Sequence, residues 1–115
     1  MADYLPLFKP GATVTFTASA DVVGGRAVEV SGDRTVAHTA AASTKYVGVA
    51  GHSAKAGEKV TVHMPGQVQR GVASGAIAAG VSVQTAADGK IAAGAAKIGL
   101  SLAAAVDGAL VQYID

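Results

Sequence analysis

The sequence predicts a mainly β fold: a small β-barrel-like or sandwich domain built from two similar β-units, with an extended N-terminal arm. Three observations carry this expectation. Apolar and polar residues alternate with period two in four short segments, turn-forming pairs separate the segments, and the second half of the chain repeats the first.

The arm comes first. Residues 1–9 hold Tyr4, Leu5, Leu7 and Phe8, two of the chain's five aromatics and two of its five leucines. Pro6 and Pro10 bias the residues before them towards extended conformations. Eight extended residues reach roughly 27 Å. The arm has no counterpart in the repeat, which marks Tyr4, Leu5, Pro6, Leu7 and Phe8 as candidate contacts to a partner surface or a neighbouring protomer. The other reading is a first strand that covers the domain's own core.

The β-domain follows over 10–115. Thr13–Thr17, Arg26–Val30, Lys59–His63 and Leu110–Ile114 alternate and are rich in β-branched residues, so each reads as a half-buried strand. Pro10-Gly11, Gly24-Gly25, Gly32-Asp33, Ala56-Gly57, Pro65-Gly66, Asp88-Gly89 and Asp107-Gly108 punctuate them as turns. The alanine clusters Ala40–Ala42, Ala92–Ala96 and Ala103–Ala105 are candidates for a helical turn or two.

The repeat is visible at an offset of 55 residues, which pairs Pro10-Gly11 with Pro65-Gly66, Ala18-Ser19 with Ala73-Ser74, and Asp33 with Asp88. It also sets Val22, Gly25, Val28 and Val36 opposite Ile77, Gly80, Val83 and Ile91. After a four-residue difference in loop length the offset becomes 51, pairing Val47-Gly48-Val49 with Ile98-Gly99-Leu100, Gly57 with Gly108 and Val60 with Val111. The half-units are expected at about 10–63 and 65–114, packed together because a lone unit of this size buries its apolar face poorly.

Composition excludes several classes. Alanine accounts for 26 residues, valine for 16 and glycine for 15, so about half the chain is small or β-branched and the core is thin in aromatics. Nine basic and eight acidic side chains give a net charge of +1 with no run of either sign, which argues against nucleic acid and polybasic membrane attachment. The absence of cysteine rules out disulfides, thiol nucleophiles and thiolate metal sites. No signal peptide or membrane span is expected: the N-terminus lacks a basic region, and the uncharged run from Gly71 to Ala87 is too rich in Ala, Gly and Ser. The chain reads as soluble and made in a reducing cytoplasm.

Reaction chemistry is equally sparse. His38, His52 and His63 are spaced 14 and 11 apart, unlike paired metal ligands. Asp21, Asp33, Asp88 and Asp107 sit in turns, which explains them without acid–base work. No serine lies in a G-x-S-x-G context, and the glycine-rich pieces lack a phosphate-binding spacing. His63-Met64-Pro65-Gly66 is similar to the opening of a biotinyl or lipoyl carrier, but no lysine has the flanks that such carriers modify. No catalytic residue, metal ligand or cofactor is assigned.

Lys45-Tyr46-Val47-Gly48-Val49-Ala50, Ala54–Val62, Pro65-Gly66-Gln67-Val68, Ala73–Val83, Ile98–Leu102 and the closing 108–114 segment together resemble the small capsid cement or head decoration proteins of tailed bacteriophages. The resemblance spans about residues 10–114 and rests on glycine and valine patterns. It implies a barrel-like fold, a non-enzymatic structural role and a place on the outer surface of the mature virion capsid after synthesis in the host cytoplasm. The implied partners are the major capsid protein, whose subunits it would bridge against rupture, and the chain itself as a homotrimer. The competing reading is a surface or tail-associated module for carbohydrate or a receptor. Sugar stacking needs exposed aromatics, and outside the arm only Tyr46 and Tyr113 are available, with Phe16 expected inside the domain and no tryptophan in the chain.

Overall fold

Ten strands form in the computed structural model, which describes residues 12–115. The first five are β1 (Thr13–Ala18), β2 (Ala27–Gly32), β3 (Thr35–His38), β4 (Tyr46–Ala50) and β5 (Lys59–His63). The second five are β6 (Val68–Val72), β7 (Ser82–Thr85), β8 (Ile91–Ala93), β9 (Gly99–Ser101) and β10 (Leu110–Ile114). The expected mainly β, barrel-like fold of two similar units is what forms. The arm residues Tyr4, Leu5, Pro6, Leu7 and Phe8 lie outside the described residues.

Each unit rolls up its own sheet. The first closes as a barrel in the order β1-β3-β2-β4-β5, with β5 antiparallel to β1 and β1 parallel to β3. The second follows the same circular order, β6-β10-β9-β7-β8, and a single parallel bridge from Ala73 to Ile91 stands where the first unit has the β1–β3 seam. The repeat holds residue by residue. Val14 pairs with Val62 and Gln69 with Tyr113; Val28 pairs with Gly48 and Val83 with Gly99. Bonds outside the strands repeat too: Val22 and Ala54 exchange backbone bonds of 2.8 and 3.1 Å, as Ile77 and Ala105 do at 2.8 and 2.9 Å. The turn glycines Gly25, Gly57, Gly80 and Gly108 all take positive φ, at two positions of the repeat where a side chain would strain the turn.

Each unit also has its own core, filled in a different way. In the first, Val14, Phe16, Val28, Val36, Val60 and Val62 pack together, with the aromatic ring supplied by β1. In the second, glycine (Gly71) replaces Phe16, and the ring comes from β10 as Tyr113, opposite a larger Ile91. A Cβ on Gly71 would lie 2.7 Å from Ile91 Cγ1 and 3.3 Å from the Tyr113 ring, so the glycine is what makes room for these two side chains.

The alanine clusters do not form helices. Ala92 and Ala93 belong to β8, Ala105 forms the bridge to Ile77, and Ala41-Ala42 lie in a turn. Only Ala87–Gly89 makes a 3-10 turn among the described residues, with Asp88 at φ 58. Alanine's helix preference needs several uninterrupted turns to count, and glycines and sheet pairing intervene here.

The four-residue loop difference sets how the units meet. The longer connection after β3, from Thr39 to Lys45, lies against the β7–β8 turn. Thr39 Oγ1 donates to Ala86 O at 3.1 Å, Thr85 Oγ1 donates to Ala40 O at 2.9 Å, and Ser43 N donates to Thr85 Oγ1 at 2.7 Å. Ala27 and Val49, on the outside of the first barrel, join the core cluster of the second. Gly89 makes this approach possible, because a Cβ there would lie 2.6 Å from Ala27 O.

Candidate functional site

No group of three or more His, Asp or Glu side chains that could hold a metal is present among the described residues. His38 and His52 instead serve the fold, and His63 lines a groove between the units. His38 Nε2 accepts the Val23 N–H at 2.9 Å, and burial, with the nearby Arg26 charge, holds its pKa below the ordinary imidazole value. His52 Nε2 accepts the Thr61 N–H at 3.2 Å. Asp21, expected in a turn, accepts the Ala56 N–H at 2.9 Å, and Asp107 does the same for Gly75 at 2.8 Å. Glu29 caps the loop by accepting the Ala40 N–H at 3.0 Å, which lowers its pKa.

The two tyrosines weighed for sugar stacking form a junction lock. Tyr113 is fully buried, and its hydroxyl lies 3.2 Å from that of Tyr46. Tyr46 Oη donates to Asp115 Oδ2 at 2.7 Å. The other carboxylate oxygen accepts the Gly66 and Gln67 N–H groups, so Asp115 ties the closing strand to the link between units. Burial pushes both phenol pKa values up, keeping them neutral donors. Gln69, inward-facing where the first unit has Val14, completes the lock by donating to His63 O at 3.1 Å. Phe16 sits inside the first barrel, with the Arg34 guanidinium 5.3 Å from its ring centroid.

What remains open is an apolar exterior on the second unit. Of the eight exposed large hydrophobic side chains among the described residues, Val68, Leu100, Leu102, Val106, Leu110 and Ile114 belong to this unit. Ladder register gathers five of them: Val68 pairs with Ile114, Ile114 with Leu100, and Leu110 with Val72, while Leu102 N bonds to Gln112 O. Successive side chains on one face of a strand are two residues apart, so Val68, Arg70 and Val72 share a face, as do Leu110, Gln112 and Ile114. Arg70, midway along β6, is opposite Gln112. One edge lines an open groove of about 490 Å3 between the units, walled across by Gly25, Gly51 and His63. At the far end Ala76, Ile77, Ala104, Ala105 and Val106 line a second open hollow of about 470 Å3.

The same positions in the first unit carry different chemistry. Val68, Leu102, Val106, Leu110 and Ile114 correspond to Thr13, Gly51, Lys55, Lys59 and His63. The first unit's own hollow, at the repeat-equivalent place, is lined by Asp21, Ser53, Lys55 and Glu58 around Val22. Leu100 corresponds to Val49, which is apolar but only 5% exposed because the second unit covers it. None of this face was singled out from the sequence. The signal was available in the aligned repeat, as positions where threonine, lysine and histidine give way to valine, leucine and isoleucine.

A family model described as phage cement protein matches residues 8–113. A comparison with curated proteins finds no match. Among solved structures, the head fiber gp8.5 N base of bacteriophage phi29 is similar in fold, with a TM-score of 0.75 at 23% identity over 90% of this chain and 92% of that one.

Proposed function

The chain belongs to the phage cement protein family, and from that premise we propose that it binds the outer surface of the mature phage capsid and stabilises the shell by bridging major capsid protein subunits. Its role is structural rather than catalytic. The observation that carries this reading is the exposed apolar exterior of the second unit, where Val68, Leu100, Leu110 and Ile114 stand on neighbouring strands, a surface of the kind that marks a protein-binding site. Many such contacts repeated over a lattice sum to a large resistance to rupture.

The arm 1–9, leading into the β-domain at 10–115, adds a second contact. Tyr4, Leu5, Pro6, Leu7 and Phe8 are proposed to grip the shell or a neighbouring protomer and to hold the protein as a homotrimer. Losing a buried aromatic anchor of this kind costs about 2–4 kcal/mol of binding.

Co-sedimentation with mature shells lacking the protein tests the function. Saturable binding at a fixed ratio to the shell subunit, with a raised rupture temperature, is the expected result. Absence of binding to mature shells would overturn it. Deleting residues 2–8 is expected to weaken binding, and analytical ultracentrifugation of the free protein reports the trimer.

A further inference from the structure

Building on the shell-binding reading, we propose that the molecule is polarised: the outer face of the second unit meets the shell, and the first unit points away from it. The partner surface is apolar protein carrying a carboxylate opposite Arg70.

The two units act as each other's control. They share strand order, register and turn bonds, so folding makes the same demands on equivalent positions. Where Val106, Leu110 and Ile114 are 70%, 60% and 44% exposed, the first unit carries Lys55, Lys59 and His63 on the same backbone. A stable unit of this fold therefore has no need of aliphatic residues there, and their presence points to a bound partner. Six aliphatic side chains in this state amount to roughly the few hundred Å2 at which apolar surface marks an interaction site.

The internal packing also shows what this face does. On the first unit, Val49, Gly51 and His63 lie towards β6, across the groove lined by Gln67, Val68, Arg70 and Val72. The second unit repeats those positions as Leu100, Leu102 and Ile114, all exposed. Repeating the operation with a second copy would set these three residues against Thr13, Thr15, Thr17 and Lys59, the first-unit counterparts of the groove's other wall. That surface is polar, so head-to-tail repetition of the chain does not cover the apolar face. A foreign apolar surface does, and in this family's setting that surface is the shell. Arg70 sharpens the match: it stands midway along β6, on the groove side of the face, with no partner for its guanidinium among the described residues. A cation enclosed by such a contact requires a carboxylate opposite it.

The repeat also supplies the test. The triple variant Val106→Lys, Leu110→Lys, Ile114→His gives the second unit the residues that the first unit already carries at those positions, so the fold is expected to tolerate it. In co-sedimentation with mature shells, the full-length variant is expected to lose at least about 100-fold in affinity while its Tm stays within about 3 °C of the parent. Thr15→Glu with Thr61→Glu, on the matching face of the first unit, is expected to leave affinity within about twofold. If the triple variant unfolds, Val106→Lys alone gives the same reading from the most exposed position. A parent that binds and a folded triple variant that binds equally well would overturn the orientation while leaving the shell-binding function intact. A parent that fails to bind would remove both. A triple variant whose sedimentation mass drops would assign the face to a second copy of this chain and overturn the proposal as well.

Discussion

β1 and β6 occupy equivalent places in two five-stranded sheets of the same register, yet their outer faces differ: Thr13, Thr15 and Thr17 against Val68, Arg70 and Val72. The interiors differ the other way, in layout but not in character. Phe16 fills the core of the first unit from β1, whereas Tyr113 fills that of the second from β10 across Gly71. Packing constrains the sum of volumes inside a barrel and leaves the choice of strand free. Nothing in the packing constrains the outside, so its chemistry follows what it touches. The core thus conserves bulk while the surface diverges.

Breaking the second core has the largest expected effect. Tyr113→Ala removes the ring for which Gly71 makes room, leaves a cavity and dissolves the lock with Tyr46 and Asp115, at about 3–5 kcal/mol of stability. A fall in the urea midpoint measures it, and a loss below 1 kcal/mol would show that the two cores are not built on a single ring each.

Thr85→Val installs the residue that the first unit carries at that position, Val30, which is 38% exposed. In the second unit this position is buried, and its hydroxyl bridges Ser43 N and Ala40 O. Leaving those backbone groups unpaired is expected to cost about 1–3 kcal/mol. Faster hydrogen exchange confined to the Thr39–Lys45 loop would place the loss at the junction. An unchanged stability would mean that the longer loop is not what joins the units.

The smallest effect is a pH dependence specific to the first unit. His38 corresponds to Ala93 and must be neutral to accept the Val23 N–H. Its folded pKa lies below the reference value of 6.5, so below that pH the unfolded chain binds more protons and stability falls as pH drops through the folded pKa. A Tm that declines from pH 6.5 downwards, with a smaller decline in His38→Gln, is the expected calorimetric result. An identical decline in both would assign it to other groups.

Alternation in Thr13–Thr17 and Lys59–His63 and the two-offset repeat made the fold class and the pairing of the units legible before any coordinates. Six strands, β3, β4, β6, β7, β8 and β9, were not read as alternating segments, and the repeat is what recovers them: Val36 and Ile91 lie at the same step of both sheets, and Gly48 and Gly99 pair at the same step with Val28 and Val83. The apolar face was hidden for a physical reason. Alternation says that one side of a strand is buried and the other is not, but Val68, Leu110 and Ile114 place β-branched or large apolar residues on the outer side, where pattern alone reads them as further strand content.

Local sequence therefore determined the elements, because strand periodicity and turn glycines act over a few residues. It also determined that there are two units, because equal patterns fold equally. Tertiary structure alone decided that the first unit closes as a barrel while the second forms a five-stranded sheet of the same order, that the longer loop of one docks on the turn of the other, and which aliphatic side chains remain uncovered. Those outcomes depend on contacts such as Thr39 with Ala86, 47 residues apart, and on which surfaces the partner unit happens to cover. Exposure is a property of the packed whole, which no window of sequence contains.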